Sequence, residues 1–192
     1  MFILASQSPR RRELLSMLGL TFEIITADID ETMDESLSVA DAVAEVSKRK
    51  ALAVGARNPG RLIVSADTIV TVEGKVLGKP HSEQEAKAML RSLSGRSHTV
   101  MTAICLCRDG VTQTHVEETQ VVFKPLSDAE IEAYIATGSP MDKAGAYGIQ
   151  DGAAVFVEGL RGDYYNVMGL PLCALVKRLR EHGVPVLGTV EP

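Results

Sequence analysis

The chain has 192 residues, 45% of them hydrophobic, and a formal net charge of −5. That length is enough for one well-buried α/β domain or for two small lobes that share a sheet. The acidic balance argues against broad binding to nucleic acid or to an anionic membrane, because both need a basic protein face. No apolar stretch reaches the length of a membrane span, and three cysteines without a CxxC pair indicate a reduced, cytoplasmic compartment.

The first predicted helix opens with three consecutive arginines. The apolar segment 2–5 reads as a strand, Ser8 is a good N-cap, and the proline that follows it suits the first helical position. A cation in that first turn destabilises the helix by roughly 0.3–1 kcal/mol, because the helix dipole repels it. An anion bound there interacts favourably with the same dipole and with the cation. Helical spacing turns Arg10 and Arg11 toward the packed leucine side and Arg12 away from it. We therefore predict that Arg10 and Arg11 serve an anion such as phosphate; a solvent-exposed basic turn is the alternative.

The second predicted helix carries a lysine on its apolar face. A strand over Phe22–Thr26 and an acidic loop over Asp28–Glu35 come first, and Ser38 then caps a helix that runs to about Val54. Lys50 projects at the centre of the valine and alanine stripe of this helix. A lysine there must extend its amine to solvent, lose its proton or meet an anion, which is either a carboxylate or a substrate phosphate.

The next buried strand contains a carboxylate. Residues 62–66 predict a strand that Asp67 and Thr68 interrupt and that residues 69–72 continue to a hairpin turn. An isolated carboxylate among apolar residues is costly, so Asp67 should bind a metal, pair with a cation or stay neutral. A carboxylate in such a state can position and deprotonate water. An aspartate in a turn at the end of a strand is the alternative.

A third cation follows in a short loop. Lys79 lies between Gly78 and Pro80, and the proline keeps it extended and out of a helix. The segment Gly74–Pro80 superficially resembles a P-loop, but its glycine spacing is one residue short. Pro80 also stands where a P-loop has the Ser or Thr that holds Mg²⁺, so we reject that interpretation.

The remaining elements alternate between helices and strands. Ser82 with Glu85, and Ser127 with Glu130, predict capping boxes at the starts of two helices. This order predicts an α/β or α+β fold with a mixed sheet. Two lobes with a cleft between them are expected, because charged motifs recur in both halves of the chain. The helices are expected to end near Gly95 and Gly138, further strands to cover Thr99–Cys107, Thr114–Phe123 and Ala153–Val157, and a last helix to cover Met168–Glu181.

A further charged cluster lies in the segment Asp142–Gln150. Small residues surround the charged ones and allow a ligand to approach the backbone closely. Gln150 offers both an acceptor and a donor, which suit the imide edge of a pyrimidine. A plain glycine-rich loop is the alternative, and the segment Gly162–Pro171 is interpreted in the same way.

Taken together, these segments resemble the Maf family of nucleoside triphosphate pyrophosphatases. The wording of Asp142–Gln150 is similar to the subgroup that acts on dTTP and UTP. The resemblance implies hydrolysis of the α–β phosphoanhydride to a nucleoside monophosphate and pyrophosphate, with house-cleaning of modified pyrimidine nucleotides as a related role. The matching stretches, in the family's order, are Leu4–Arg11, Ser65–Val70, Gly78–Pro80, Asp142–Gln150 and Gly162–Leu172.

The resemblance also implies the setting of that activity. It implies one domain over residues 1–192, with a two-lobed, inosine-triphosphatase-like α/β fold. In that fold a long mixed sheet is flanked by helices and a central cleft holds the nucleotide. A divalent cation (Mg²⁺ or Mn²⁺), a cytoplasmic location and, often, a homodimer are expected as well.

Site residues follow from the resemblance by position. Asp67 corresponds to the catalytic base, and Glu31, Lys50 and Lys79 match other residues needed for activity. Charge requirements assign the metal to Glu31 and Asp67, with Asp30 as an adjacent alternative to Glu31. Inward-facing cations are expected to stand unmatched until a polyphosphate binds. The predicted substrate-binding and selectivity positions are Ser6, Arg10, Arg11, Thr68 and Gln150.

A protein of another class would use the same residues differently. A nucleotide-binding regulator of septum formation or cell division would bind the triphosphate and pass a signal to a partner. Multiple turnover with release of pyrophosphate separates the enzyme from the regulator.

Overall fold

A computed structural model describes residues 1–26 and 28–188 of the chain. Ala27 and residues 189–192 of the predicted domain lie outside the described residues. In the described part, no helix is both long enough and apolar enough to cross a membrane. The helices are α1 (Pro9–Met17), α2 (Val39–Gly55), α3 (Glu83–Leu93), α4 (Asp128–Ala136), α5 (Tyr164–Val167) and α6 (Leu172–Glu181).

Seven strands of the described residues form one mixed sheet. They are β1 (Phe2–Leu4), β2 (Phe22–Ile24), β3 (Ile63–Val72), β4 (Lys75–Leu77), β5 (Ser97–Arg108), β6 (Val111–Phe123) and β7 (Val157–Arg161). The hydrogen-bonded order is β2-β1-β3-β5-β6-β7, with β4 paired to β3 beside this path. Strand β1 runs parallel to β2 and to β3, whereas β4 pairs antiparallel with β3 and β7 with β6. The predicted α/β class with a mixed sheet is therefore confirmed.

Serine caps start four of the helices, as the sequence predicts. The Ser8, Ser38, Ser82 and Ser127 hydroxyls each accept from a backbone N–H of the first turn. The α4 box is complete, because the Glu130 carboxylate also accepts from the N–H of Ser127 at 2.9 Å. The α3 box is only half formed. There, the carboxylate three residues after the cap accepts instead from the backbone N–H one residue before the cap, at 2.8 Å.

Three element predictions are corrected. Strand β3 is continuous, so Asp67 and Thr68 belong to it and do not interrupt it. Residues 152–156 form a 3-10 helix, because the Asp151 side chain accepts from the N–H of Ala153 and tightens the turn. The last helix starts at Leu172 because proline precedes it, and α5 stands alone before it.

The chain forms two compact units. Unit 1 comprises residues 1–67, 102–117 and the chain from residue 169, and unit 2 comprises residues 68–101 and 118–168. Unit 1 has an apolar cluster of β1, α2, β3 and β5 side chains in which two cysteines, Cys105 and Cys107, are buried. Unit 2 has a larger cluster built from β3, α3, β6, α4 and the segment 146–156. The span of a single domain over 1–192 and the central cleft stay predictions.

Candidate functional site

In unit 1, Arg11 is buried beneath the first turn of α1. Its Nε donates to the carbonyl oxygen of Gly169 at 2.7 Å, and its Nη1 donates to that of Ala66 at 2.8 Å and to Ser6 Oγ at 3.1 Å. Burial lowers the pKa of Arg11, and the charge of nearby Asp67 opposes that effect. The inward direction predicted for Arg11 is confirmed. Its guanidinium donates to backbone carbonyl oxygens of the protein, whereas the sequence predicted an anion such as phosphate as its partner.

Its neighbours in the arginine run differ from it in burial. Arg12 is exposed, as predicted from the helical spacing, and Arg10 is half-buried. Only Arg11 is therefore taken fully into the protein.

Lys50 meets two carboxylates. Its Nζ lies 2.7 Å from Asp67 Oδ1 and 2.8 Å from Glu31 Oε2. The Lys50 and Asp67 side chains retain 14% and 17% of their exposure, whereas Glu31 retains 58%. The group is thus covered on the protein side and open to solvent from the loop that carries Glu31. We call Asp67, Lys50 and Glu31 the acidic triad.

Two buried hydroxyls set the register that brings Lys50 to Asp67. Ser65 Oγ donates to the carbonyl oxygen of Ser47 at 2.6 Å and lies 3.1 Å from Ser47 Oγ. Ser65 and Asp67 share one face of β3, because side chains alternate along a strand, and Ser47 and Lys50 share one face of α2. Sequence reasoning missed this serine pair. A hydroxyl on the apolar face of each element was the available signal.

In the acidic loop, Glu31 contacts Lys50, whereas Asp30 forms a hydrogen bond within the loop itself. The Asp30 carboxylate accepts from the backbone N–H of Thr32 at 2.8 Å. Hydrogen bonds with the Thr32 side chain and with this N–H lower the pKa of Asp30. Of the two candidates left open by the sequence, Glu31 is the one in contact with the lysine.

The protein's own acids face the inward cations in this part of unit 1. Glu31 and Asp67 pair with Lys50, and both carboxylates also act on Arg11. Arg10 adds a third positive charge beside Arg11, so the cations here exceed the carboxylates by one. The expectation that the inward cations stand unmatched is therefore wrong for Lys50. The predicted alternative in which Lys50 meets a carboxylate is confirmed, because Glu31 and Asp67 supply the anion.

In unit 2, the loop of Lys79 is tied to the glycine-rich segment. The N–H of Gly145 donates to the carbonyl oxygen of Gly78 at 3.0 Å, next to the exposed Lys79. Gly145 has φ +69°, and a Cβ there would lie 2.9 Å from the Val70 side chain. Only glycine meets both conditions, so this contact depends on the residue type at position 145.

The same segment is held by a polar network around one carboxylate. Asp151 accepts from Tyr134 Oη at 3.0 Å and from Ser139 Oγ at 2.5 Å, with Lys143 Nζ 3.5 Å away. Tyr134 Oη in turn accepts from the N–H of Gly148 at 3.1 Å. A Cβ at Gly148 would lie 2.5 Å from Asp151 Oδ2, so the backbone is pressed onto the network.

A buried histidine anchors the middle of this segment. His98 Nε2 lies 2.8 Å from Tyr147 Oη, and the two rings pack edge to face with each other and with Phe123. His98 is 2% exposed, and burial lowers its pKa to about 4. Gln150 follows three residues after Tyr147 and is half-buried. The segment is therefore an anchored structure and more than a plain glycine-rich turn.

The predicted site residues divide between the two units. In unit 1 the structure joins Lys50 with Glu31 and Asp67, and Arg11 with Ser6, while Arg10 lies beside Arg11. Unit 2 contains the half-buried Thr68, the exposed Lys79 and the half-buried Gln150. Their assigned roles stay predictions. The unit 1 residues are Ser6, Arg10, Arg11, Glu31, Lys50 and Asp67.

The acidic triad contains two carboxylates that could ligate the divalent cation implied by the family resemblance. Across residues 1–26 and 28–188, no group of three or more His, Cys, Asp or Glu side chains is arranged to hold a metal ion. Glu31 and Asp67 nevertheless place two carboxylate oxygens within 2.8 Å of the same ammonium. Mg²⁺ takes hard oxygen ligands and is commonly bound through one or two carboxylates together with substrate phosphates. The donor set therefore fits a cation that arrives with a phosphate ligand.

Comparisons with known proteins place the chain. Proteins called dTTP/UTP pyrophosphatase match it in Bacillus cereus, at 46% identity over 96% of both chains, and in Halalkalibacterium halodurans, at 48% identity over 94% of this chain and 95% of the other. Among solved structures, the Staphylococcus aureus Ham1 protein matches with a TM-score of 0.45 and 15% identity, over 64% of this chain and 71% of its own. That likeness is too distant to inform the site. The model of the family described as Maf-like protein matches residues 1–182, so the chain belongs to the Maf-like protein family.

Proposed function

We propose that the chain is a nucleoside triphosphate pyrophosphatase that hydrolyses dTTP and UTP to the monophosphate and pyrophosphate. Relatives named dTTP/UTP pyrophosphatase, at 46–48% identity over nearly the whole chain, support this activity. The observation that carries it is the acidic triad, in which Asp67 and Glu31 share the ammonium of Lys50. The carboxylates of such a group can accept a proton and can ligate a cation that is bound to phosphate.

Asp67 is the proposed proton acceptor. Its Oδ1 is fixed by Lys50 at 2.7 Å, and the side chain is still partly exposed, so a water can reach the carboxylate. An orientated carboxylate places that water for attack on the α-phosphorus and takes up its proton. Lys50 holds the carboxylate in position and adds positive charge where phosphate oxygens become more negative.

Glu31 and Asp67 are the proposed ligands of the divalent cation. The ion, when bound, would supply Lewis-acid polarisation of the phosphate oxygens. Because Glu31 and Asp67 offset two of the three nearby cations, Arg10, Arg11 and Lys50, this part of unit 1 offers little excess positive charge to a triphosphate. This balance favours binding of the nucleotide as its metal complex, with Lys79 and Arg10 as additional proposed phosphate contacts.

Base selection is assigned to the anchored segment of unit 2. Gln150 presents an amide that can donate to and accept from the imide edge of uracil or thymine. Thr68 is the second proposed selectivity position in this unit. The polar network around Asp151 and the His98–Tyr147 contact keep the backbone before Gln150 in one conformation, which lowers the entropic cost of that pairing.

A panel of triphosphates tests this proposal. Purified protein with Mg²⁺ or Mn²⁺ should turn over dTTP and UTP many times and release pyrophosphate, with slower turnover of CTP, ATP and GTP. Modified pyrimidine triphosphates in the same panel distinguish a house-cleaning role from action on the common nucleotides. Tight binding of dTTP or UTP without turnover would contradict the proposal and favour the nucleotide-binding regulator.

A further inference from the structure

A guanidinium on α2 holds the loop that carries Glu31. Arg49 Nη1 donates to the carbonyl oxygen of Asp30 at 2.6 Å, and its Nη2 donates to that of Thr32 at 2.7 Å. These two carbonyls belong to the residues on either side of Glu31. The planar guanidinium of one arginine therefore binds the backbone on both sides of the glutamate, and we call these two hydrogen bonds the Arg49 grip.

The neighbouring positions of Arg49 and Lys50 explain how the loop and β3 meet at one helix. Successive residues of an α-helix point about 100° apart, so these two side chains leave α2 in different directions. Lys50 reaches Asp67 on β3, whereas Arg49 reaches the acidic loop. Glu31 then extends from the gripped loop to the Lys50 ammonium.

The ion pair with Lys50 is a weak restraint on the loop by itself. The Glu31 side chain is 58% exposed, and an ion pair with so exposed a carboxylate is screened by solvent and contributes little. The two hydrogen bonds from Arg49 go to backbone atoms and are charge-assisted, so they restrain the chain itself. The Asp30 side chain closes the same short segment through the N–H of Thr32.

We propose that Arg49 is a positioning residue that holds Glu31 against Lys50 and so maintains the negative charge of the acidic triad toward a divalent cation. This inference rests on the proposed function. With Glu31 in place, the triad carries two carboxylates for one ammonium and keeps a net negative charge. When Glu31 moves away, Lys50 and Asp67 neutralise each other, and the attraction for a second cation falls.

The variant Arg49→Ala removes the grip and leaves all three triad residues in the chain. We expect kcat/KM for the Mg²⁺–UTP complex to fall about 10-fold and the activating Mg²⁺ concentration to rise, as is typical when a residue that orients a metal ligand is lost. Arg49→Lys should recover only part of this loss, because an ammonium lacks the planar fork. Lys48→Ala is the matched control, since Lys48 lies on the same helix, carries the same charge and pairs with Glu45 at 3.4 Å.

A double-mutant cycle separates positioning from general stability. In a Glu31→Gln background, Arg49→Ala should change kcat/KM by less than about 2-fold, because the residue on which it acts is already gone. Equal losses in both backgrounds, or a loss with Lys48→Ala as large as with Arg49→Ala, would overturn the proposal. Unfolding temperatures of all variants are measured in parallel.

Two readouts do not depend on turnover. Titration calorimetry of Mn²⁺ into protein saturated with an α,β-non-hydrolysable UTP analogue should show weaker Mn²⁺ binding in Arg49→Ala than in Lys48→Ala. Amide hydrogen exchange over residues 28–35 should accelerate in Arg49→Ala and stay unchanged in the control. If the wild-type chain fails to hydrolyse any triphosphate, the proposed function fails, and hydrogen exchange decides on its own: unchanged exchange in Arg49→Ala rules out the grip.

Discussion

Asp67 shows how one residue acquires its chemistry from its position. It lies within a continuous and largely buried strand, and the Lys50 ammonium at 2.7 Å makes the ionised carboxylate tolerable there. The same lysine leaves part of the carboxylate open to solvent. Removing one partner of such a partly buried pair destabilises the protein, so isosteric changes are the informative ones.

Asp67→Asn keeps the shape of the side chain and removes its ability to accept a proton. We expect kcat on UTP to fall by about 10²–10⁴-fold, the range over which a positioned general base acts. Binding of the nucleotide should weaken far less than kcat falls, since the asparagine keeps one oxygen for the phosphate-bound cation and the phosphate contacts are assigned to other residues. Steady-state kinetics and calorimetry with the non-hydrolysable UTP analogue measure the two effects. A variant that retains wild-type kcat would remove Asp67 from the mechanism.

Gln150→Ala tests base selection at the level of one side chain. Loss of the paired hydrogen bonds should lower kcat/KM for UTP and dTTP by about 10-fold or more. The values for CTP, ATP and GTP should change less, because the proposed pairing is specific to the imide edge. The measurement is the ranking of rates over those five nucleotides. If the ranking is the same in the variant as in the wild type, selection by Gln150 is wrong.

His98 gives the protein a predicted pH dependence of stability. Burial lowers its pKa from an ordinary 6.5 to about 4, so the folded state excludes a proton that the unfolded state binds. Its contribution is complete above pH 6.5 and is lost as the pH falls toward 4. Between about pH 8 and about pH 5 the free energy of unfolding should drop by about 2 kcal/mol through this residue.

Urea unfolding at both pH values, in wild type and in His98→Gln, isolates that contribution. The variant should start from lower stability but lose about 2 kcal/mol less than the wild type between the two conditions. Parallel pH profiles for the two proteins would show that His98 is not the group responsible.

At the scale of the elements, close packing fixes the segment that ends at Gln150. Gly148 lies so near Asp151 and Lys143 that a Cβ would come within 2.5 Å of Asp151 Oδ2 and 2.7 Å of Lys143 Cε. No comparable crowding exists at Gly159 in β7, where a Cβ would meet nothing within 4 Å. The two glycines therefore form a matched pair for substitution.

Gly148→Ala should lower the free energy of unfolding by about 1–3 kcal/mol, because the added methyl must displace a hydrogen-bonded carboxylate or the lysine beside it. It should also weaken the preference for UTP and dTTP, since the displaced network supports the backbone before Gln150. Gly159→Ala should change both quantities little. Chemical denaturation and the nucleotide panel check these outcomes, and equal behaviour of the two variants would contradict the packing account.

The sequence predicts helix and strand boundaries where neighbouring residues determine them. It does not predict contacts between residues that are distant along the chain. Ser38 and Ser127 signalled helix starts correctly because a cap is a local hydrogen bond. The continuity of β3 through Asp67 was missed, since it depends on a lysine seventeen positions earlier in the chain. The grip of Arg49 on the acidic loop had no sequence signal, because an arginine that binds backbone carbonyls does not select its partners by residue type.

At the scale of the whole molecule, charge sets the central requirement. The chain is acidic, with a formal net charge of −5, and Lys50 in unit 1 is paired with two of the protein's own acids. Under the proposed function, such a protein acts on a polyanionic nucleotide through local contacts and through a cation that accompanies the substrate. Strict dependence on a divalent metal is therefore part of the account, and a chelator should abolish turnover reversibly.

The products formed from UTP test the central claim most directly. With Mg²⁺ and protein at a small fraction of the nucleotide concentration, phosphorus NMR should show one pyrophosphate for each UMP over many turnovers. That result requires cleavage between the α- and β-phosphates. Formation of UDP with inorganic phosphate, or an end to product formation after one nucleotide per chain, would contradict it.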